Sequence, residues 1–184
     1  WRISEEPWFA PAKDVMNNLK LRASFGSLGN QKVTNNAWMR KITFDNFAGY
    51  SFDGSAMGRY ATISAPNASD LTWETSTQYN VGIDAGMFND KLTFTAEGFI
   101  RDTKGMLQQG VALPGVYGAD SPLMNSADLR TSGYELSISW RDQFEIAGRP
   151  FGYSVVANLS DNKTIITKYD NPERTFAKDY YEGM

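Results

Sequence analysis

In five stretches of the chain, apolar residues recur at every second position, and no other feature limits the possible folds as tightly. Over 19–26 (LKLRASFG), Leu19, Leu21, Ala23 and Phe25 share one parity, and Lys20, Arg22 and Ser24 share the other. The apolar parity continues as Tyr79, Val81, Ile83 and Ala85 in 77–85, and as Leu92, Phe94, Ala96, Gly98 and Ile100 in 92–100. It returns as Tyr134, Leu136, Ile138 and Trp140 in 134–140, and as Tyr153, Val155, Ala157 and Leu159 in 153–159. Side chains of a β-strand point to opposite faces in turn, so a period of two reads as strand. A short helical turn over 13–18 (KDVMNN) is the one exception expected. The fold class is all-β.

The connections between these stretches alternate in length. Those over about 27–75 and 103–131 are long and rich in Gly, Asn, Ser, Asp and Pro, whereas 87–91 and about 142–151 are short turns. Some further strand pairing is expected inside the long connections, for instance between 38–44 and 58–64. The pattern is an antiparallel up-and-down meander with turns at one end and loops at the other. Soluble domains rarely carry such long connections. Outer-membrane barrels do, with short periplasmic turns and long extracellular loops.

The ends of the apolar stripes are aromatic. With 87–91 taken as periplasmic, Tyr79 and Tyr134 stand at the outer interface, and Trp140 and Tyr153 at the inner one. Rings suit such boundaries, being apolar in the plane and polar at the OH or N–H. A water-soluble β-sandwich with aromatics at its core edges fits the same alternation, so pattern alone leaves both open. Six or so strands are too few to close a membrane barrel alone, for which eight is the practical minimum. An open sheet in lipid would leave backbone groups unpaired, so the membrane reading makes this chain part of a larger barrel.

Two absences narrow the chemistry. With no cysteine, thiol catalysis and zinc–thiolate sites are excluded; with no histidine, the usual general base and commonest metal ligand are missing. The net charge of −3, without a basic stripe, gives no reason to expect nucleic acid. No apolar run is long enough for a transmembrane helix, which says nothing of a barrel. The opening WRISEEPWFAPAKDV lacks the pattern of a secretory leader, and the chain reads as an excerpt of something longer. Asp84 and Glu97 could serve glycoside hydrolysis only with a convergent pocket, which flat strands do not provide. DNFAGYSFDG (45–54) lacks EF-hand spacing, and GSLGN (26–30) precedes no helix, so neither metal nor cofactor is expected. An enzyme is not expected.

Several collinear strings resemble the C-terminal barrel region of the SusC/RagA family, the TonB-dependent outer-membrane transporters of Bacteroidetes. They are NLKLRASFGSLGNQ (18–31), LTWETSTQYNVGIDAGMFNDKLTFTAEGFIRDTKGML (71–107), LPGVYGADSPLMNSADLRTSGYELSISW (113–140) and YSVVANLSDNKTIIT (153–167), with WRISEE at the opening. The resemblance implies a plugged barrel of 22 strands in the outer membrane, of which 1–184 supplies about six to eight. It implies import of oligosaccharides or peptides, a SusD-like surface lipoprotein that captures ligand and lids the loops, and energy from TonB acting on a plug outside this chain.

Under this reading Tyr79, Val81, Ile83, Leu92, Phe94, Leu136, Ile138, Trp140 and Val155 face the lipid bilayer. Lys20, Arg22, Gln78, Asp84, Glu97, Arg101, Glu135 and Arg141 face the lumen, where they either line the solute path or pair across strands and stiffen the wall. The loop aromatics Trp38, Phe44, Phe47, Tyr50, Phe52, Tyr60 and Tyr117, with Asp120, are the candidates for contact with ligand or lid. Tyr117 stands out because Gly115 and Gly118 leave it projecting. Readings of another class are a soluble β-sandwich that binds carbohydrate through these aromatics, and a purely structural or adhesin sheet.

Overall fold

The computed structural model describes residues 1–31, 39–45, 60–64, 66, 71–110, 113–171, 173–174 and 180–184. Seven strands follow in chain order: β1 (Asn18–Asn30), β2 (Ile42–Asp45), β3 (Tyr60–Ile63), β4 (Glu74–Met87), β5 (Leu92–Gln109), β6 (Leu123–Ile146) and β7 (Arg149–Lys168). Five form one antiparallel sheet in the order β1-β4-β5-β6-β7, and β2 pairs with β3 as a separate hairpin inside the long 31–73 connection.

The strands run well past the alternating stretches. Connections expected over 27–75 and 103–131 shrink to 31–73 and 110–122, because β1, β4, β5 and β6 all extend toward the loops. Segments such as DTKGMLQQ (102–109) and MNSADLR (124–130) are mixed or polar on both faces, so hydrophobic alternation cannot report them. Backbone pairing requires no apolar side chain. The short connection expected over 142–151 is likewise only Ala147-Gly148, both at positive φ (52° and 73°), as a two-residue hairpin turn matched to the strand twist requires. No α-helix forms over 13–18. Two 3-10 segments, Ile3–Glu5 and Pro7–Ala12, precede it instead, and Pro7 and Pro11 deny that stretch the amide donors of an α-helix.

The register sorts the residues into two faces. Leu21, Ile83, Ala96, Leu136 and Leu159 lie in one cross-strand row; Arg22, Gly82, Glu97, Glu135 and Ser160 lie in the next. One face is therefore apolar over all five strands and the other is polar over the same area. No second sheet covers the apolar face among the described residues. Val81, Val155 and Ile138 remain 65%, 61% and 45% exposed, while Ile83, Phe94 and Leu136 are half-buried by their neighbours in the sheet. The buried apolar side chains described are Phe9, Ala85 and Ala127. A β-sandwich needs a partner sheet to form its core, and this sheet has none among the described residues.

The apolar band does not run perpendicular to the strands. Its loop-side limit is Tyr79 on β4, but on β7 it is Leu159, which the ladder places level with Ile83, four residues nearer the turns. Its turn-side aromatics drift the same way, reaching Phe144 and Phe151 on β6 and β7, with Asp142, ion-paired to Lys91, between Trp140 and Phe144 on that parity. Four residues at ~3.3 Å, over three strand spacings at ~4.8 Å, give a tilt of about 40°. Membrane barrels tilt their strands by this amount against a level hydrocarbon slab.

Candidate functional site

The polar face is tied together across strands by charge-assisted hydrogen bonds. Arg22 Nε donates to Asp84 Oδ2 at 2.8 Å, and Nη1 donates to Glu97 Oε2 at 2.9 Å. Glu97 is two strands away from Arg22, and the guanidinium reaches it by crossing Gly82. A Cβ on Gly82 would come within 3.1 Å of Arg22 Nη2 and 3.3 Å of the Ala96 carbonyl. Glycine inside a strand often marks such a close approach. Thr95 adds a hydroxyl bond to Asp84, at 3.2 Å. A second chain runs from Arg101 to Gln78 (3.0 Å), Gln78 to Asn80 (2.8 Å) and Asn80 to Ser24 (2.9 Å).

All eight residues expected on the lumen side thus share the polar face, and all nine expected on the lipid side share the apolar one. The structure joins Arg22 to Asp84 and Glu97, and Gln78 to Arg101. Lys20, Glu135 and Arg141 make no side-chain hydrogen bond or ion pair among the described residues. Glu135 stands directly opposite Glu97, a like-charge pair that opposes strand pairing. Arg22 on the far side of Glu97 offsets that repulsion. Replacing Arg22 with Met should lower the urea midpoint of the full-length protein, because two carboxylates lose a charged donor on a part-exposed surface. Gly82→Val should reproduce most of that loss with Arg22 still present.

Sequence reasoning missed three elements of this wall. Gly82 was one; a lone glycine in an alternating strand was its available signal. A second is Phe99, an aromatic on the polar face whose ring tip lies 2.8 Å from the Cβ position of Gly133 on β6. The ring covers the strand where β6 has no side chain. The third is Asn125, which bonds the backbone of Thr72 in both directions (2.8 and 2.9 Å) and the Gly105 carbonyl at 2.6 Å. Gly105 (φ 68°) lies within the register shift of β5, and its amide donates to Asp128 Oδ1 at 2.8 Å. Asn125 therefore fastens the lead-in of β4 to the bulge in β5.

At the loop end, Ile63 and Ser64 form one side of a cleft, and Leu113, Pro114, Gly115, Gly118, Ala119 and Asp120 form the other. Asp120 lines it. Tyr117 does not: it sits on the 3-10 turn Gly115–Tyr117, closed by Gly118 at φ 67°, and half of its surface is open to solvent. Trp38, Phe47, Tyr50 and Phe52 lie outside the described residues, as does the side chain of Tyr60. Phe44 is exposed on the β2–β3 hairpin.

The rims of the apolar face carry the interfacial chemistry. On the loop side Phe25 and Tyr79 pack at 5.0 Å between ring centroids. On the turn side Trp140 Nε1 donates to the Tyr153 hydroxyl at 3.0 Å, and Phe144 packs against Phe151 at 5.3 Å. Just beyond the loop-side rim, Arg130 makes a two-pronged contact with Asp102 at 2.6 and 2.9 Å. That hydrogen bonding first, then the charges of Arg130 and Lys104, hold the Asp102 carboxyl below its usual range against the desolvation that raises it.

Known proteins resemble this chain in sequence and fold. The family model described as TonB dependent receptor-like, beta-barrel matches residues 12–182. The TonB-dependent receptor P26 of Formosa agariphila is 30% identical over 90% of this chain and 16% of its own length. The TonB-dependent receptor SusC of Bacteroides thetaiotaomicron is 29% identical over 98% of this chain and 17% of its own length. The RagAB peptide importer in its closed-closed state superposes with a TM-score of 0.78 at 26% identity, over 100% of this chain and 19% of the solved chain. In the open-open state the TM-score is 0.74 at 25% identity, over 94% and 18%. The chain therefore spans about a sixth of the length of these curated relatives.

Proposed function

Because the chain belongs to the TonB dependent receptor-like β-barrel family, we propose that it forms part of the wall of an outer-membrane transporter of the SusC/RagA type. The observation that carries this reading is the uncovered apolar face, five strands wide, bounded by aromatic rims and inclined at the angle a tilted barrel needs. In that wall the apolar face contacts lipid and the polar face contacts the lumen. Both edges of the sheet already continue: Trp1 exchanges two backbone bonds with Leu21 on β1, and Gly183 and Met184 bond Ile166 on β7. Edge groups left unpaired in hydrocarbon cost several kcal/mol each, so further strands of the same barrel satisfy the rest. The short turns then lie in the periplasm and the loop end lies outside the cell.

The transported solute on this reading is an oligosaccharide, captured with a SusD-like lipoprotein and drawn in at the expense of TonB-coupled energy. Exposed Tyr117 offers a flat face to sugar C–H groups, and Asp120 in the adjacent cleft can accept hydroxyls. A peptide is the second reading, favoured by the likeness to a peptide importer. Binding of matched panels of oligosaccharides and peptides to the intact transporter–lipoprotein complex separates the two. Tyr117→Ala or Trp38→Ala is expected to weaken the bound class by about tenfold or more, the scale of one aromatic contact. Unchanged affinity in both variants would reject the loop-aromatic site.

A further inference from the structure

We propose that Lys104, Arg130 and Lys163 form a docking surface for the phosphate groups of anionic lipid headgroups, placed at the loop-side edge of the apolar face. The inference rests on the lipid-facing reading of that face. Three observations support it. First, the three cations share the parity of the apolar face: Arg130 pairs with Asp102, Lys104 is two residues from Asp102, and Lys163 pairs with Ser132, two residues from Arg130. Second, they begin where the apolar band stops. Asp102 follows Ile100 on that parity of β5, and Lys163 lies four residues beyond Leu159 on β7. Third, they are available. Lys104 and Lys163 are exposed and make no ion pair among the described residues, while Arg130 keeps 55% of its side chain exposed.

The anions of the same patch are Asp102 and Asp161. Asp102 takes Nε and Nη2 of Arg130, which orients the guanidinium and leaves Nη1 to donate outward. Asp161 sits between Leu159 and Lys163 on the same parity and has no bonded partner among the described residues. A lipid whose acyl chains lie along Ile100, Tyr134 and Leu159 brings its headgroup level with this group of charges. A free phosphate gains the charge but not the apolar contact. Each Lys or Arg near an anionic surface strengthens association by about fivefold.

The test uses the full-length receptor in detergent, titrated with diphosphorylated lipid A and read by native mass spectrometry. Lys104→Gln with Lys163→Gln is expected to weaken retention roughly 25-fold and to leave dephosphorylated lipid A unaffected. Both changes spare the Arg130–Asp102 pair, so folding, checked by heat-modifiable migration, is retained. Asp161→Asn removes an anion and should strengthen retention several-fold. Equal retention by wild type, double variant and Asp161→Asn overturns the proposal. Equal competition by inorganic phosphate overturns the lipid as its occupant. A fluorophore at Val155 that brominated lipids fail to quench overturns the lipid-facing reading itself; quenching together with unchanged retention overturns the patch alone.

Discussion

Arginine at position 138 is expected to cost roughly 2–4 kcal/mol of folding stability in phospholipid vesicles, whereas arginine at the adjacent position 137 should cost less than about 1 kcal/mol. Ile138 lies near the middle of the apolar band on β6, between Phe94 and Ala157, and is 45% exposed without any protein to cover it. In hydrocarbon a guanidinium there must snorkel or draw in water. Ser137 lies between Thr95 and Asn158 on the polar face, where a cation remains hydrated. The penalty should also decline toward the rim, with Tyr134→Arg close to neutral. Equilibrium unfolding of the full-length receptor measures all three. A penalty equal at 137 and 138 would contradict the two-faced wall.

Gly133→Val is expected to be as damaging, by a different cause. Its Cβ would lie 2.7 Å from the Asp161 carbonyl, 2.9 Å from Asn162 Cβ and 2.8 Å from the tip of the Phe99 ring. Phe99 could rotate away; the backbone of β7 cannot yield without opening the β6–β7 ladder. Overpacking of this kind costs about 3 kcal/mol. Gly98→Val is the control, since the nearest atom to its Cβ is 4.0 Å away, and it should change stability by less than about 0.5 kcal/mol. Adding Phe99→Ala to Gly133→Val should recover little, because the backbone clash persists. Full recovery would show the ring, not the strand, to be the obstacle.

What could be read in the sequence follows from where the alternation exists. The pairing of 77–85 with 92–100, the turn between them and the two faces were legible because each strand is apolar on one side there. The ladder above Ile100 and Tyr134 was not, since Asp102, Lys104, Asn125 and Asp128 give no periodic signal. Arg22 and Glu97 are each visible as polar strand residues. Their contact depends on Gly82 lying between them in a register that only the assembled sheet defines. Phe99 breaks the polar parity for a reason, cover for Gly133, that no local pattern encodes. Of the loop aromatics, Phe44 and Tyr117 are exposed rings; the cleft was not legible, because it forms where Ile63 and Ser64 meet 113–120, some fifty residues on.

Phe88, Asn89 and Asp90 form the turn between β4 and β5, and all three have positive φ, 56° to 60°. Asn and Asp tolerate the left-handed conformation, but at Phe88 it costs roughly 1–2 kcal/mol. Its compensation comes from the segment before β1. The Phe88 amide donates to the Val15 carbonyl at 2.9 Å, and Asn17 Nδ2 donates to Asp90 Oδ1 at 2.8 Å. The β4–β5 turn is therefore braced by the segment that leads into β1. The consequence is one of reach: residues just ahead of β1 hold in place a chain reversal that lies 73 positions further along the sequence.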